Sequence, residues 1–186
     1  MNPFKHLCRL FVYAIVPTLL FSACKKDKDA AAPGKGDYYF KATFNGKEQD
    51  FSHTANYQGM FSDDGRLVMI VVGGHTAGTS EGGSVAAPSF DFEIWRTNGN
   101  ITAGTYDTRD EAEGVMISRY AIQSSGGTIL YNTIPDGAYV TVKIDEISNK
   151  GIKGTLSGVI INESTGESIT VTNGSFNFPY ETVINP

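Results

Sequence analysis

The sequence predicts an all-β fold, an antiparallel β-sandwich or flattened barrel of about ten strands. Three observations carry this expectation. From Tyr38 onward the dominant hydrophobic period is two, the signature of half-buried strands. Turn signals recur at short intervals, and 21 glycines in 186 residues are about 11% against a usual 7%. No long stretch repeats every 3.6 residues.

The elements follow in order. Phe40, Ala42 and Phe44 alternate with Lys41 and Thr43 and end at Asn45-Gly46, a hairpin pair that tolerates positive φ. Phe51 falls in a second short strand, and residues 56–62 form a third, closed by Asp63-Asp64-Gly65. Residues 67–72 are a continuous apolar run of strand length, which predicts burial on both sides. Phe90, Phe92 and Ile94 alternate with Asp91, Glu93 and Trp95 before Asn98-Gly99. Residues 115–123 and 128–133 flank the turn Ser124-Ser125-Gly126-Gly127. After Asp136-Gly137, Ala138, Val140, Val142 and Ile144 share one face, with Tyr139, Thr141, Lys143 and Asp145 on the other. Residues 152–162 lead through Ser164-Thr165-Gly166 into residues 167–180. Ile169 and Val171 are out of phase with Phe176 and Phe178, which predicts a bulge at Asn173-Gly174. Thr108-Arg109-Asp110-Glu111 fits a capping box that could start one helical turn. An Ig-like and a calycin-like connectivity fit this pattern equally.

Ahead of these strands the chain changes character. Lys5 and Arg9 precede twelve mostly apolar residues, 10–21, and then Ser22 and Ala23. A basic start, a short apolar core and a small-residue exit are the layout of a secretory signal. Twelve helical residues cover about 18 Å, short of a bilayer core of about 30 Å. Phe21-Ser22-Ala23-Cys24 resembles the lipobox of bacterial lipoproteins, with Phe21 where Leu is commonest. That resemblance implies cleavage before Cys24 and three acyl chains, such as palmitate, on the new terminus. One chain would bind only marginally, and stable anchoring takes two or more. The expected division is therefore a signal over 1–23, a flexible tether over 24–36 and a single β-domain over 37–186. The tether reading rests on charged and small residues with no large apolar group. Its opening resembles that of lipoproteins from the Bacteroidota, with Lys28 interrupting the acids. The resemblance implies the outer membrane and leaves the periplasmic and cell-surface faces both open.

Removing residues 1–23 leaves 163 residues with 13 basic and 20 acidic side chains, a net charge of −7 with histidines neutral. That balance argues against a nucleic-acid partner, which calls for a basic patch. With Cys24 lipidated and Cys8 removed, no thiol remains for a disulfide, a metal or a nucleophile.

The residues that could carry chemistry are few. His53 and His75 are 22 apart and match no zinc motif, and His75 is the better placed, after Gly73-Gly74. Ser80-Glu81-Gly82-Gly83-Ser84 lacks the form of a nucleophile elbow. Asp107, Asp110, Glu111 and Glu113 gather around Arg109, and Asp63-Asp64 lies at a turn; EF-hand spacing is absent, and calcium binding by this acidic loop stays open. Asp91 and Glu93 share a strand face, as paired glycosidase acids would and as any polar outer face does. Trp95, Tyr106 and Tyr139 are the candidate ligand-binding residues, aromatics able to stack on a sugar or meet a protein. No catalytic residue, metal ligand or cofactor is assigned.

Two passages carry a further resemblance. Phe40-Lys41-Ala42-Thr43-Phe44-Asn45-Gly46-Lys47 is similar to the opening of a group of Bacteroidota lipoproteins of unknown function. Ile101-Thr102-Ala103-Gly104-Thr105-Tyr106 and the strand from Ile169 to Asn177 resemble their middles and ends, while Phe51 stands where Trp is usual. The resemblance implies an all-β domain and supplies no catalytic residues. The expected function is a non-enzymatic, lipid-anchored binding or interaction module, whose partners are the membrane, through Cys24, and a glycan or an envelope protein. The alternatives are a glycan-acting hydrolase and an outer-membrane assembly or structural factor.

Overall fold

The computed structural model describes residues 38–53, 55–76, 87–97, 99–110, 112, 114–124, 126–148, 151–179 and the backbone of 182–184. The expected signal, the tether and Cys24 lie outside the described residues. Twelve strands are present: β1 (Tyr39–Phe44), β2 (Lys47–Asp50), β3 (Asn56–Phe61), β4 (Leu67–His75), β5 (Ser89–Arg96), β6 (Gly104–Asp107), β7 (Gly114–Ser124), β8 (Gly127–Asn132), β9 (Tyr139–Ser148), β10 (Gly151–Ile161), β11 (Ser168–Phe178) and β12 (Thr182–Ile184). There is no helix among the described residues. All pairings are antiparallel except that of β12, which runs parallel to β3.

The strands form one continuous sheet that folds on itself into two facing layers, β12-β3-β4-β5-β7-β8 and β2-β1-β11-β10-β9-β6, as the ring contacts of β1 and β11 with β5 show. The layers meet at one corner through the single pair Ile161–Asn132. Ser52 and His75 make a second isolated bridge, where the chain leaves β2 for β3. Six of the eleven strand pairings join chain neighbours, and β11 returns onto β1.

The alternation seen in the sequence is what fills the space between the layers. Phe40 and Phe44 of β1 face Phe90 of β5 at 5.5 and 5.2 Å between ring centroids, and Phe176 of β11 faces Phe92 at 5.3 Å. Phe40, Phe51, Tyr57, Phe90, Phe92, Phe176 and Phe178 are fully buried. Asn45 and Gly46 take φ of 47° and 83°, the left-handed pair that a two-residue hairpin requires. The bulge expected near residue 173 is present: Asn173 has φ 51°, and the β10–β11 register shifts between Leu156 and Gly158. It turns Phe176 and Phe178 back to the face of Ile169 and Val171.

Three details differ from expectation. The run Thr108-Arg109-Asp110 forms a turn in place of a helical start. There the Asp107 carboxylate accepts from Arg109 N at 2.9 Å, and the Asp107 carbonyl accepts from Asp110 N at 3.0 Å. The apolar run at 67–72 continues through Gly73-Gly74 to His75. Gly74 is needed where the chain after β2 crosses it, since a Cβ there would lie 2.3 Å from the Phe51 carbonyl oxygen. Strand β6, which had no counterpart in the sequence pattern, edges the second layer by pairing with β9.

Candidate functional site

The outward face of β3, β4, β5 and β7 combines exposed apolar and charged side chains. Register sets them in rows across the layer. Met60, Met69, Trp95 and Val115 are successive partners in one row, and Gln58, Val71, Glu93 and Ile117 in the next. Asn56, Gly73, Asp91, Arg119 and Asn132 form a third. Trp95 is 41% exposed and Val115 53%, whereas Met69, beside Trp95 in the same row, is buried. Trp95 and its cross-strand partner Val115 together make a small exposed apolar patch, the kind of surface feature that carries information where a lone exposed side chain does not.

Two residues back along β5, about 7 Å from Trp95 by strand geometry, the surface becomes ionic. Arg119 of β7 donates from Nε to Asp91 Oδ1 at 2.9 Å, and its Nη2 lies 2.8 Å from the same oxygen. Its Nη1 approaches Glu93 Oε1 at 3.3 Å. One guanidinium therefore spans both carboxylates. Burial raises the Asp91 carboxyl above its ordinary range, against the pull of the Arg119 hydrogen bond and charge. Gly73, opposite Asp91, leaves room for a shallow depression of about 260 Å³, lined also by Asn56, His75 and Ser89. A Cβ at position 73 would touch Asp91 Cβ at 3.0 Å. From Trp95 to this depression the face runs four residues, about 13 Å.

The three aromatics singled out in the sequence do not meet on one face. Trp95 lies on the outside of the first layer. Tyr139 lies on the outside of the second, with the Arg109 guanidinium 4.1 Å from its ring centre. Tyr106 points inward from β6 and is buried; its hydroxyl donates to the Thr102 carbonyl at 2.8 Å and accepts from Thr102 N at 3.0 Å. Arg96 sits 5.0 Å over the Tyr106 ring and ties the first layer to β6.

The other candidates fall as follows. Asp107 is held by Arg109 at 2.6 Å and accepts from the Thr141 hydroxyl at 2.6 Å. The Arg109 hydrogen bond, aided by Thr141, keeps its carboxyl well below the usual range. Asp110 accepts from Ala112 N, while Glu111 and Glu113 lie outside the described residues. At the Asp63-Asp64 turn, Asp64 accepts from Ser62 and pairs with Arg66 at 2.8 Å; the Ser62 bond, then Arg66, lowers its carboxyl. His53 and His75, 22 residues apart in sequence, are neighbours at the second corner, where His53 N donates to the His75 carbonyl at 3.2 Å; both are exposed. No group of three or more His, Cys, Asp or Glu suited to a metal occurs among the described residues. Residues 80–84 are outside them.

Sequence reasoning missed Arg119, the residue that organises this face. Its signal was the outward phase of residues 115, 117 and 119, but its place opposite Asp91 follows only from the β5–β7 register. Comparison with family models, with curated proteins and with solved structures gives no match for this chain.

Proposed function

We propose that the protein is a lipid-anchored envelope module that binds glycan, without turnover, on the outward face of β3, β4, β5 and β7. The observation that carries this reading is the exposed Trp95 in line with the Asp91–Arg119–Glu93 cluster. A sugar ring offers one apolar face and a rim of hydroxyls. The indole supplies the flat apolar partner and the cluster supplies both acceptors and donors. The 13 Å span fits a short oligosaccharide better than a single ring. Lipidation at Cys24 rests on the resemblance of Phe21-Ser22-Ala23-Cys24 to a lipobox, the outer membrane on the resemblance of the tether's opening to that of Bacteroidota lipoproteins, and membership of the group of unknown function on the quoted strands.

The guanidinium bridging both acids supports binding over hydrolysis. A general acid and a general base must each be available to the reacting bond, and here one cation engages both. The test is a glycan array with parallel turnover assays. Binding without turnover, lost on Trp95→Ala with the fold intact, supports the proposal. Turnover abolished by Asp91→Asn or Glu93→Gln would replace it with the hydrolase, and binding of neither glycan nor substrate would favour the assembly factor. For the anchor, cells fed labelled fatty acid should label the protein, and Cys24→Ser should lose the label; label kept by the variant would refute lipidation.

A further inference from the structure

The second exposed apolar cluster lies elsewhere. Ile129 and Leu130 of β8 are each 41% exposed, and Ile134, just beyond, is 66% exposed. Strand β8 pairs with β7 along its whole length, but on its other side only Asn132 has a partner, Ile161. Ser118 N, on β7, is turned toward β8, where it donates to Thr133 Oγ1. The alternation of an antiparallel ladder then directs residues 120, 122 and 124 toward β8, and residues 127, 129 and 131 toward β7. The N–H and C=O groups of Thr128 and Leu130 therefore point to the open edge. No charge, proline or bulge guards this edge: Gly127, Thr128, Ile129, Leu130, Tyr131 and Asn132 are all uncharged. Natural sheets usually protect such an edge against added strands. By contrast β2, at the edge of the other layer, carries Lys47, Glu48 and Asp50.

Strand β10 ends at Ile161, and the turn that follows it, residues 162–167, leaves a wedge of about 420 Å³ against β8. Its far wall includes Asn162, Glu163, Thr165 and Glu167, and no basic side chain lines it. Tyr131 donates to Glu167 Oε2 at 2.9 Å at the closed end. We propose that this edge is a docking site for an extended peptide bearing basic residues, which adds to the first layer as a strand antiparallel to β8. Four outward groups on Thr128 and Leu130 supply the ladder, and Ile129 and Leu130 supply apolar contact on either face. Direction follows from charge. Strand β8 runs toward the closed end, so an antiparallel peptide places its α-amino group beside the acidic wall, whereas a parallel one would place its carboxylate there. A second copy of β8 fits less well. Paired about a twofold at Ile129, its own β7–β8 turn would reach the level of Asn132, a lane that Ile161 already fills.

The test uses the full chain in detergent micelles and a hexapeptide of alternating Val and Lys, free at its N-terminus and labelled at its C-terminus, followed by fluorescence anisotropy. Saturable binding is expected, at least tenfold weaker for the same peptide N-methylated at its four central residues. It should also be at least tenfold weaker for the Val-Glu counterpart, and weakened by added salt. Hydrogen exchange should show new protection at the Thr128 and Leu130 amides. Glu163→Gln with Glu167→Gln should weaken the Val-Lys peptide and leave an uncharged Val-Thr peptide unchanged. Equal binding of the methylated peptide, protection confined to other strands, or no saturable binding at millimolar peptide would each overturn the proposal. So would self-association abolished by Leu130→Lys in a protein that ignores the peptides.

Discussion

Replacing Phe176 with Ala tests how the two layers are joined. Phe176 is fully buried on β11, immediately past the bulge, with its ring 5.3 Å from Phe92 in the opposite layer and 6.5 Å from Phe40 beside it. A buried phenylalanine removes roughly 150–250 Å² from water. Losing about 140 Å² of that at roughly 25 cal/mol per Å² costs about 3.5 kcal/mol. The cavity left behind brings the total to about 4–5 kcal/mol. With a urea slope near 2 kcal/mol per M, the midpoint should fall by about 2 M at unchanged slope. Ser175, one residue earlier, is the control, since its side chain takes the opposite, outward phase. Ser175→Ala should stay within about 0.5 kcal/mol. A loss below about 1 kcal/mol at Phe176, or an equal loss at Ser175, would refute the phase that the bulge imposes.

Two further perturbations probe the corners and the charges. Gly74→Ala places a methyl 2.3 Å from the Phe51 carbonyl oxygen and 2.7 Å from Ala55 Cβ, and should cost about 1–3 kcal/mol in urea unfolding. Gly104→Ala, whose methyl meets nothing nearer than 3.9 Å, should cost nothing; similar losses at both positions would contradict the crossing at residue 74. Asp107 has a folded-state pKa below its ordinary 3.8, so its contribution to stability is present above that value and is lost as pH falls below it. Asp107→Asn should therefore be destabilised at pH 7 and converge with the parent protein below about pH 3.8 in thermal melts; a constant offset across that window would refute the Arg109–Thr141 account.

What could be read from the sequence was whatever depends on near neighbours along the chain. The alternation Phe90, Phe92, Ile94 against Asp91, Glu93, Trp95 stated which side chains share a face, and the structure places them so. Asn45-Gly46 and the phase slip before Phe176 were equally local, because each follows from backbone conformations within a few residues. What could not be read depends on register between distant strands. Arg119 is 28 residues from Asp91, and only the β5–β7 pairing sets them side by side. His53 and His75 meet for the same reason, through the bridge at Ser52. Tyr106 could not be assigned a side, since four-residue β6 is too short to show a period and takes its orientation from β9. Its inward turn separates it from Trp95 and Tyr139, which alternation alone could not reveal.

The central functional claim is that one face, and not the other, holds a glycan. Amide chemical-shift mapping during titration with an oligosaccharide that scores on the array addresses it most directly. The account predicts perturbations grouped on residues 69–73, 91–95 and 115–119, abolished by Trp95→Ala and retained in Tyr139→Ala. Perturbations centred on Tyr139 and Thr141 in the second layer, or undiminished by loss of the Trp95 indole, would contradict it.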